Sequence, residues 1–344
     1  MHNNFYSGKK VFITGGAGFI GHHLLDKLIQ LGAIVAIGDN LSIGKISNVT
    51  GVWKKNKLGF KKTGSGLKAE NSHRFLLVDF QNLKDSIHAM KDSEIVFHLA
   101  ATHGGRGFID SHPADCSENF AINQNVAKAA HLIKVDRIQY ASSACVYPSD
   151  LQETYNSDYL LTEPDAFKNG WGNADREYGW GKLMGEMVLR AYHMQYGLKS
   201  SITRYVTAYG PGQDDSHALI ALVKRAVRRE DPYVVWGSGR QDRDFTYVED
   251  IVRGTLMASA QIIDADAVNL GTGRRYKISS VVEMIFDILK WHPKKIIFDK
   301  TKPEGVKTRA LNIAKAKKLL GWKPQYQLKK GLTKTIEWCL KTQK

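Results

Sequence analysis

Continuously apolar segments alternate with segments of helical periodicity along the first two hundred residues. The apolar segments are short and are bounded by polar residues or glycine, as strands buried on both faces are. They lie at residues 10–14, 34–39, 75–79, 95–100 and 137–142. Helical patterns separate them at residues 22–31 and 116–133. This alternation predicts an α/β fold with a doubly wound parallel sheet.

The pattern changes in the second half of the chain. A helix over 178–196 and a strand over 199–205 continue the alternation of helices and strands, but later segments alternate less regularly. We therefore expect a larger domain over residues 1–200, to which segments return after residue 240. Residues 201–344 would mainly form a smaller C-terminal α/β lobe, which holds the substrate. Such a lobe would cover the carboxyl ends of the strands, where ligands bind in these sheets.

Residues 45–72 interrupt the alternation. They are rich in glycine, lysine and serine and show little periodicity. We expect an exposed, mobile loop or a short hairpin here. A lid or a docking surface is the less favoured interpretation.

The chain is basic, with a formal net charge of +15 over 344 residues. Much of the excess lies between Trp53 and Lys62 and in the C-terminal part from Lys290 onward, without interleaved aromatics that could stack bases. A solvated surface that attracts an anionic nucleotide explains the charge, and no nucleic-acid partner is expected. No apolar run reaches the ~18 residues of a membrane span, and no signal peptide is recognisable at the N-terminus. Three cysteines without CxxC spacing favour a reducing cytoplasm, and no metal site is expected.

A glycine-rich turn joins the first strand to the first helix. Gly15, Gly18 and Gly21 follow the strand and begin the helix, and Asp39 ends the next strand. Glycines let the backbone approach a pyrophosphate, and the helix N-terminus supplies N–H groups and positive potential. Asp39 can accept from ribose hydroxyls and would repel a 2′-phosphate, so this Rossmann-like unit favours NAD over NADP. Asp79 ends a strand at the same edge and could contact adenine, with a strand-end cap as the alternative.

Tyr178 and Lys182 are four residues apart and would share one face of a helix. A nearby ammonium stabilises a phenolate, so we expect a tyrosine pKa below its usual value of about 10. Such a pair can take the proton of a sugar hydroxyl. Ser143 lies at a strand end and could hydrogen-bond the reacting oxygen.

Cys145 and His217 would add a second acid/base couple, with ordinary pKa values of about 8.5 and 6.5. The first couple suits oxidation at an alcohol carbon, and the second suits proton transfer at neighbouring carbons. Simpler alternatives stay open. Cys145 could be a small apolar residue at a strand end, and His217 could cap its helix or bind substrate.

Several longer motifs together resemble the extended short-chain dehydrogenase/reductases that act on nucleotide sugars. They are Thr-Gly-Gly-Ala-Gly-Phe-Ile-Gly, Gly-Asp-Asn-Leu-Ser, His-Leu-Ala-Ala, Ser-Ser-Ala-Cys-Val-Tyr-Pro, Tyr-x-x-x-Lys and Arg-Asp-Phe-Thr-Tyr-Val-Glu-Asp. The resemblance implies a nicotinamide cofactor, a nucleotide-sugar substrate, a homodimer and a Ser/Tyr/Lys catalytic set. The cofactor would contact Gly15, Gly18, Phe19, Ile20, Gly21, Asp39, Asn40, Asp79, Leu99, Ala100, Tyr178 and Lys182. The substrate would contact Gly105, Arg106, Asn119, Ser143, Arg243 and Arg309.

The segment around Cys145 resembles the GDP-mannose 3,5-epimerases and GDP-fucose synthases, which use a cysteine as an epimerisation base. The loop at Gly104–Ile109 and the segment Pro303–Arg309 resemble the epimerases, whereas Ser-His at His217 resembles the acid of the synthases. Members that eliminate water carry Asp-Glu where this chain has Ala-Cys. Thr207 replaces a family asparagine, which leaves the placement of the sugar open.

These observations lead to one hypothesis and three alternatives. The hypothesis is an NAD-dependent epimerase of a GDP-hexose, inverting C3 and/or C5 through a transient 4-ketone. The alternatives within enzymes are a nucleotide-sugar 4-epimerase and a C4 dehydrogenase, with GDP-heptose included among the substrates. The alternative from another class is a catalytically idle NAD-binding scaffold.

Overall fold

The computed structural model describes residues 4–64, 66–168 and 173–342. The strands are β1 (Lys10–Thr14), β2 (Ile34–Asp39), β3 (Phe60–Thr63), β4 (Gly66–Ala69), β5 (Arg74–Leu77), β6 (Ile95–His98), β7 (Arg137–Ser143), β8 (Lys199–Tyr205), β9 (Ala208–Tyr209), β10 (Tyr233–Trp236), β11 (Asp242–Arg243), β12 (Thr246–Tyr247), β13 (Asp264–Leu270), β14 (Tyr276–Lys277), β15 (Ile296–Asp299) and β16 (Thr308–Arg309). The helices are α1 (Phe19–Gln30), α2 (Ile46–Lys55), α3 (Leu83–Met90), α4 (Arg106–Ser111), α5 (Pro113–Ser117), α6 (Asn119–Leu132), α7 (Arg176–Tyr196), α8 (Ala218–Val227), α9 (Val248–Gln261), α10 (Ile278–Leu289), α11 (Ala314–Leu320) and α12 (Leu328–Thr342).

The central sheet has nine strands in the order β13-β8-β7-β6-β1-β2-β5-β4-β3. Its strands are parallel from β13 to β5, so the predicted α/β fold with a doubly wound sheet is confirmed. In this order, β2 and β5 lie on one side of β1, whereas β6, β7, β8 and β13 lie on its other side. The strand order therefore reverses its direction at β1. A crevice therefore opens beyond the carboxyl ends of β1 and β6, which is where such sheets bind ligands.

The segment 45–72 is more ordered in its secondary structure than the sequence indicated. The expected hairpin is present as β3 and β4, which extend the sheet in antiparallel pairing beside β5. The expectation of a loop over residues 46–55 is wrong, because this stretch forms α2. Val49, Val52 and Trp53 anchor α2 in the core, while its other side chains are mostly polar and exposed. These three residues stand at the i, i+3 and i+4 spacing of an amphipathic helix, a signal that the sequence interpretation missed.

The predicted domain boundary at residue 200 falls inside β8, so the large sheet continues beyond it. β13 also belongs to that sheet. The remaining strands form three small sheets, β10-β15, β14-β11-β16 and β12-β9. Tyr209, Tyr233 and Tyr247 of these sheets belong to the same hydrophobic cluster as Leu24 of α1 and Val35 of β2. The small sheets therefore share a hydrophobic core with the large one.

Helix α7 packs across the carboxyl half of β7 through one buried face. Glu186 on this face is fully buried and binds Arg204 of β8 through two contacts, Nε to Oε1 at 2.9 Å and Nη2 to Oε2 at 2.7 Å. Ser142 donates its hydroxyl to the same carboxylate at 2.5 Å. This ion pair fixes α7, β7 and β8 together just below the strand ends.

Replacing Glu186 by glutamine should destabilise the fold strongly, because Arg204 would keep a buried charge without a counter-ion. We expect a loss of about 3–5 kcal/mol in the free energy of unfolding, measured by urea denaturation. The matched control is Glu94→Gln at the exposed pair with Lys9 (2.6 Å), which should cost no more than about 1 kcal/mol. Equal losses in the two variants would contradict this account of the buried pair.

Candidate active site

A cavity of about 790 Å³ lies between the carboxyl ends of the central strands and the C-terminal lobe. It brings together the five predicted catalytic side chains, which are Ser143, Cys145, Tyr178, Lys182 and His217. Every predicted cofactor residue also lines it, and so do five of the six predicted substrate residues, the exception being Asn119. Segments as far apart in the chain as Gly15 and Arg309 thus meet at one place, although the roles assigned to them stay predictions.

The glycine turn has the close packing that its sequence predicts. Gly15 has a φ of +70°, and a Cβ there would lie 2.8 Å from the backbone nitrogen of Ala100. A Cβ on Gly21 would lie 2.3 Å from the carbonyl oxygen of Gly15. Side chains are therefore excluded from the turn, and α1 begins at Phe19 with its N-terminus facing the cavity. A pyrophosphate fits such a turn.

Asp39 ends β2 with its carboxylate at the cavity wall. One oxygen accepts from the backbone N–H of Ala17 at 3.0 Å, and the other accepts from the N–H of Leu41 at 2.8 Å. Burial raises the pKa of this carboxyl above its usual range, and the two N–H groups oppose that rise. Each oxygen keeps further acceptor capacity for a ribose hydroxyl. The glycine turn and Asp39 together fit the diphosphate and adenosine ribose of NAD.

Lys182 is buried beside Tyr178 but does not bind its hydroxyl. Its Nζ donates to the carbonyl of Ala141 at 2.8 Å and lies 5.8 Å from the centre of the Tyr178 ring. Burial lowers the pKa of Lys182 to about 8. Burial raises the pKa of Tyr178 above its usual value, because the buried phenolate loses its contact with water. The nearby Ser143 hydroxyl offsets this rise only in part. We expected Lys182 to lower the pKa of Tyr178. In the protein without cofactor or substrate the pKa of Tyr178 is raised instead.

Cys145 occupies the short 3₁₀ turn that follows β7. Its backbone N–H donates to Ser143 Oγ at 3.1 Å, and its Sγ accepts from Arg309 Nη1 at 3.3 Å. The side chain is half-buried and lines the cavity. A sulfur held by a guanidinium is in a polar environment, which argues against the apolar interpretation of this residue.

The three predicted substrate arginines differ in their partners. Arg106 binds Asp110 and Asp175, and Arg309 also binds Asp175. Arg243 instead donates to two backbone carbonyls, those of Asp242 and Glu304. Burial and the charge of Arg309 lower the pKa of Arg243 to about 10.

No carboxylate pairs with Arg243 among the residues that the structure describes. Of these three cavity arginines, Arg243 is thus the one whose positive charge is not balanced by a carboxylate. The predicted role of Arg243 as a diphosphate contact is compatible with this charge.

One prediction needs correction. Asn119 does not line the cavity, because it is fully buried and its carboxamide is used by the backbone of Thr102 and Cys116. It holds the loop after β6 instead of contacting a substrate directly. Asp79 lies two residues beyond β5 at an exposed position of the cavity rim, and Oδ1 of its carboxylate accepts from the N–H of Gln81 at 3.0 Å. The carboxylate keeps further acceptor capacity, so the contact with adenine stays a prediction.

His217 stands at the N-terminus of α8, and its side chain makes no capping hydrogen bond. Burial lowers the pKa of His217, whereas the carboxylate of Asp214 raises it. A second histidine, His103, lies with its ring centre 6.0 Å from that of His217, and burial lowers its pKa to about 4. The sequence interpretation missed His103. Its place five residues beyond β6, at the carboxyl edge of the sheet, was the available signal.

Residues 11–271 match the NAD dependent epimerase/dehydratase family. The GDP-mannose 3,5-epimerase of Arabidopsis thaliana is 30% identical over 337 residues, which cover 96% of this chain and 81% of that protein. A putative UDP-glucose 4-epimerase of Methanocaldococcus jannaschii is 31% identical, with 95% and 97% of the two chains covered. The crystal structure of a Bacillus cereus UDP-glucuronic acid 4-epimerase with UDP-glucuronic acid and NAD has a TM-score of 0.80 at 27% identity, and the match covers 97% of this chain and 99% of that one.

The chain therefore belongs to the NAD dependent epimerase/dehydratase family, the extended short-chain dehydrogenase type that its motifs resemble. It is an NAD-dependent sugar-nucleotide enzyme, and the prediction of NAD as cofactor is confirmed by this membership. Over the described ranges of the chain, no helix is long and apolar enough to cross a membrane.

The variant Asp39→Ser should weaken binding of NAD by on the order of tenfold, because two acceptors for the ribose are lost. Binding of NADP should improve at the same time, since a 2′-phosphate no longer meets a carboxylate. Fluorescence titration with each nucleotide would measure both effects. Asp79→Ser is the control and should leave the preference near that of the wild type. An unchanged preference in Asp39→Ser would remove Asp39 from the cofactor site.

The turnover rate should fall as the pH rises through about 8, because Lys182 loses its positive charge there. Below that pH Lys182 is protonated and the rate should be constant with respect to this group. In Lys182→Arg the charge persists to far higher pH, so the alkaline fall should disappear even if the maximal rate is lower. Initial rates over roughly pH 6 to 10 test this. The same alkaline fall in the arginine variant would assign it to another group.

Proposed function

We propose that the protein inverts C3 and/or C5 of a GDP-hexose through a transient ketone at C4, without net oxidation. The observation that carries the proposal is the presence of two acid/base couples in one cavity. Tyr178 and Lys182 serve C4, while Cys145 and His217 enter the same space from separate segments. The 30% identity to a GDP-mannose 3,5-epimerase supports a GDP-sugar.

The cavity suits a nucleoside diphosphate sugar in its charge. Arg243 faces it without a carboxylate partner among the described residues, and Lys224 and Arg225 lie further along its wall. A diphosphate can replace the missing counter-ion of Arg243. Thr207, which replaces a family asparagine, also lines the cavity, so the sugar would meet a hydroxyl and a methyl group at that point.

The first step concerns the C4 hydroxyl. The glycine turn and Asp39 would hold NAD, which would supply a hydride acceptor and donor for C4 and a positive ring charge in the cavity. Tyr178 takes the proton of the hydroxyl, and Ser143 donates to the same oxygen. Lys182 keeps a positive charge beside Tyr178 below pH of about 8, which favours the phenolate form that burial disfavours.

The second step uses the acidity of hydrogens next to a ketone. Cys145 takes a proton from C3 or C5, and the electron pair of that bond is delocalised into the carbonyl as an enolate. His217 returns a proton on the opposite face, and the two residues exchange roles in the reverse direction. Asp214 supports the protonated form of His217 that this return requires.

Turnover in D₂O should place deuterium on C3 or C5, because the proton that His217 returns comes from solvent. Mass spectrometry and NMR of the recovered sugar nucleotide measure it. Cys145→Ala should lose carbon labelling while substrate still reduces the bound NAD⁺. Tyr178→Phe is the control, and it should lose both. Normal turnover without deuterium on carbon would overturn the proposal.

The second candidate is a reaction confined to C4, as a 4-epimerase or as a C4 dehydrogenase, with heptose substrates included. Ser143, Tyr178 and Lys182 suffice for it, and a relative at 31% identity is named a putative UDP-glucose 4-epimerase. This candidate predicts inversion or a stoichiometric ketone at C4 without label on carbon. A protein that reacts with no GDP-, UDP- or dTDP-sugar would instead favour the idle scaffold.

The homodimer and the cytoplasmic location remain predictions. A dimer through the helices of the larger domain is supported by exposed apolar side chains on α6 and α7, including Leu132, Met194 and Tyr196. His131 of α6 stacks on Tyr196 of α7 at 4.1 Å, so these side chains belong to one continuous surface.

A further inference from the structure

His103 is a polar side chain of the cavity that neither acid/base couple uses. It is half-buried and lines the cavity. Its ring centre lies 6.0 Å from that of His217, and the two rings are tilted by 34°. The His103 ring makes no hydrogen bond to any other residue in the part of the chain that the structure describes. An imidazole in this situation keeps its full hydrogen-bonding capacity for a ligand.

The backbone before His103 is held by Asn119. Its Oδ1 accepts from the N–H of Thr102 at 3.0 Å, and its Nδ2 donates to the carbonyl of Thr102 at 2.8 Å. Asn119 is fully buried at the start of α6 and also donates to the carbonyl of Cys116. This double contact fixes the chain at the residue that precedes His103.

The backbone after His103 is packed against the segment that carries His217. A Cβ on Gly105 would overlap the carbonyl oxygen of Ser216, and a Cβ on Gly104 would lie 2.6 Å from Cβ of Phe108. Neither glycine can therefore be replaced without a shift of the chain. Main-chain contacts thus hold the two histidines on adjacent loops at one wall of the cavity.

Three titratable groups lie around His103, namely His217, Lys182 and Asp214. Burial lowers the pKa of His103 to about 4, the two basic groups lower it further, and the carboxylate of Asp214 opposes them. His103 is therefore neutral at neutral pH, so one ring nitrogen donates a hydrogen bond and the other accepts one. A sugar hydroxyl also donates and accepts, and it is the complementary group.

We propose that His103 binds one hydroxyl of the hexose, on C3 or on C6, and thereby selects a hexose that keeps this hydroxyl. This inference rests on the proposed function, in which Lys182 serves C4 and His217 serves C3 or C5. His103 lies beside both side chains, so its ring would meet the hydroxyl carried by the carbon that His217 serves or by its substituent. A sugar without that hydroxyl would leave the imidazole desolvated and without a partner, which weakens binding.

Calorimetric titration of the NAD-bound protein with sugar nucleotides tests the proposal. Tyr178→Phe is the background, because it should bind the sugar without reacting at C4. The probes are GDP-mannose, GDP-3-deoxymannose and GDP-6-deoxymannose. One of the two deoxy sugars should bind on the order of tenfold more weakly than GDP-mannose. Adding His103→Leu should weaken GDP-mannose by the same factor and cause no further loss with that deoxy sugar.

Two further variants make the result specific. His103→Gln keeps a donor and an acceptor and should recover part of the lost affinity. His88→Leu removes an exposed histidine of α3 outside the cavity and should leave all three affinities unchanged. GDP and NAD should bind His103→Leu as they bind the background protein, because neither carries the hexose. If His103→Leu does not fold, His103→Phe must show the same dependence on one hydroxyl.

Unchanged binding of GDP-mannose in the folded His103 variants would overturn the inference. Equal losses with all three sugar nucleotides would also overturn it, because the effect would then be one of packing and not of one hydroxyl. A loss confined to NAD would assign His103 to the cofactor instead. Failure of the proposed function is distinguishable from these outcomes. It would appear as turnover of the wild type in D₂O without deuterium on C3 or C5, whatever the binding profile of His103 shows.

Discussion

The structure depends on the packing of α7 across the end of β7. Tyr178, Lys182 and Glu186 follow one another at intervals of four residues, so they share one face of the helix. Gly185 lets this face approach the sheet, since a Cβ there would lie 2.4 Å from the hydroxyl oxygen of Tyr140. The same face therefore carries a buried ion pair at its base and the reactive side chains toward the cavity.

This arrangement shapes the electrostatics of the site. Buried Lys182 loses its proton more readily than an exposed lysine, and buried Tyr178 keeps its proton more firmly than an exposed tyrosine. Tyr178 is therefore neutral at neutral pH, while Lys182 keeps its positive charge below a pH of about 8. Arg243 is a further cation of the cavity, without a carboxylate partner among the described residues, and it lies toward the lobe that would receive the diphosphate. An anionic substrate and a cationic cofactor ring would supply the charges that the isolated chain lacks.

Local patterns in the sequence predicted the sheet, the glycine turn and most of the cavity wall, because parallel strands bring their carboxyl ends to one edge. Gly15, Asp39 and Ser143 could be placed by that rule alone. Asn119 was assigned wrongly to the substrate, since a motif does not show that an amide is already used by backbone groups. His103 was missed because its loop shows no periodicity. The contact of Arg309 with Cys145 joins residues 164 positions apart, and no local pattern can indicate it.

The central claim is that carbon atoms next to C4 are inverted by a cysteine and a histidine in one cavity with the redox pair. NMR of GDP-mannose incubated with the purified protein tests it most directly. The account predicts sugars with altered ring-proton couplings at C3 or C5, an unchanged C4 configuration and no accumulated ketone. Inversion at C4 alone, or a ketone formed in proportion to enzyme or added NAD⁺, would contradict it.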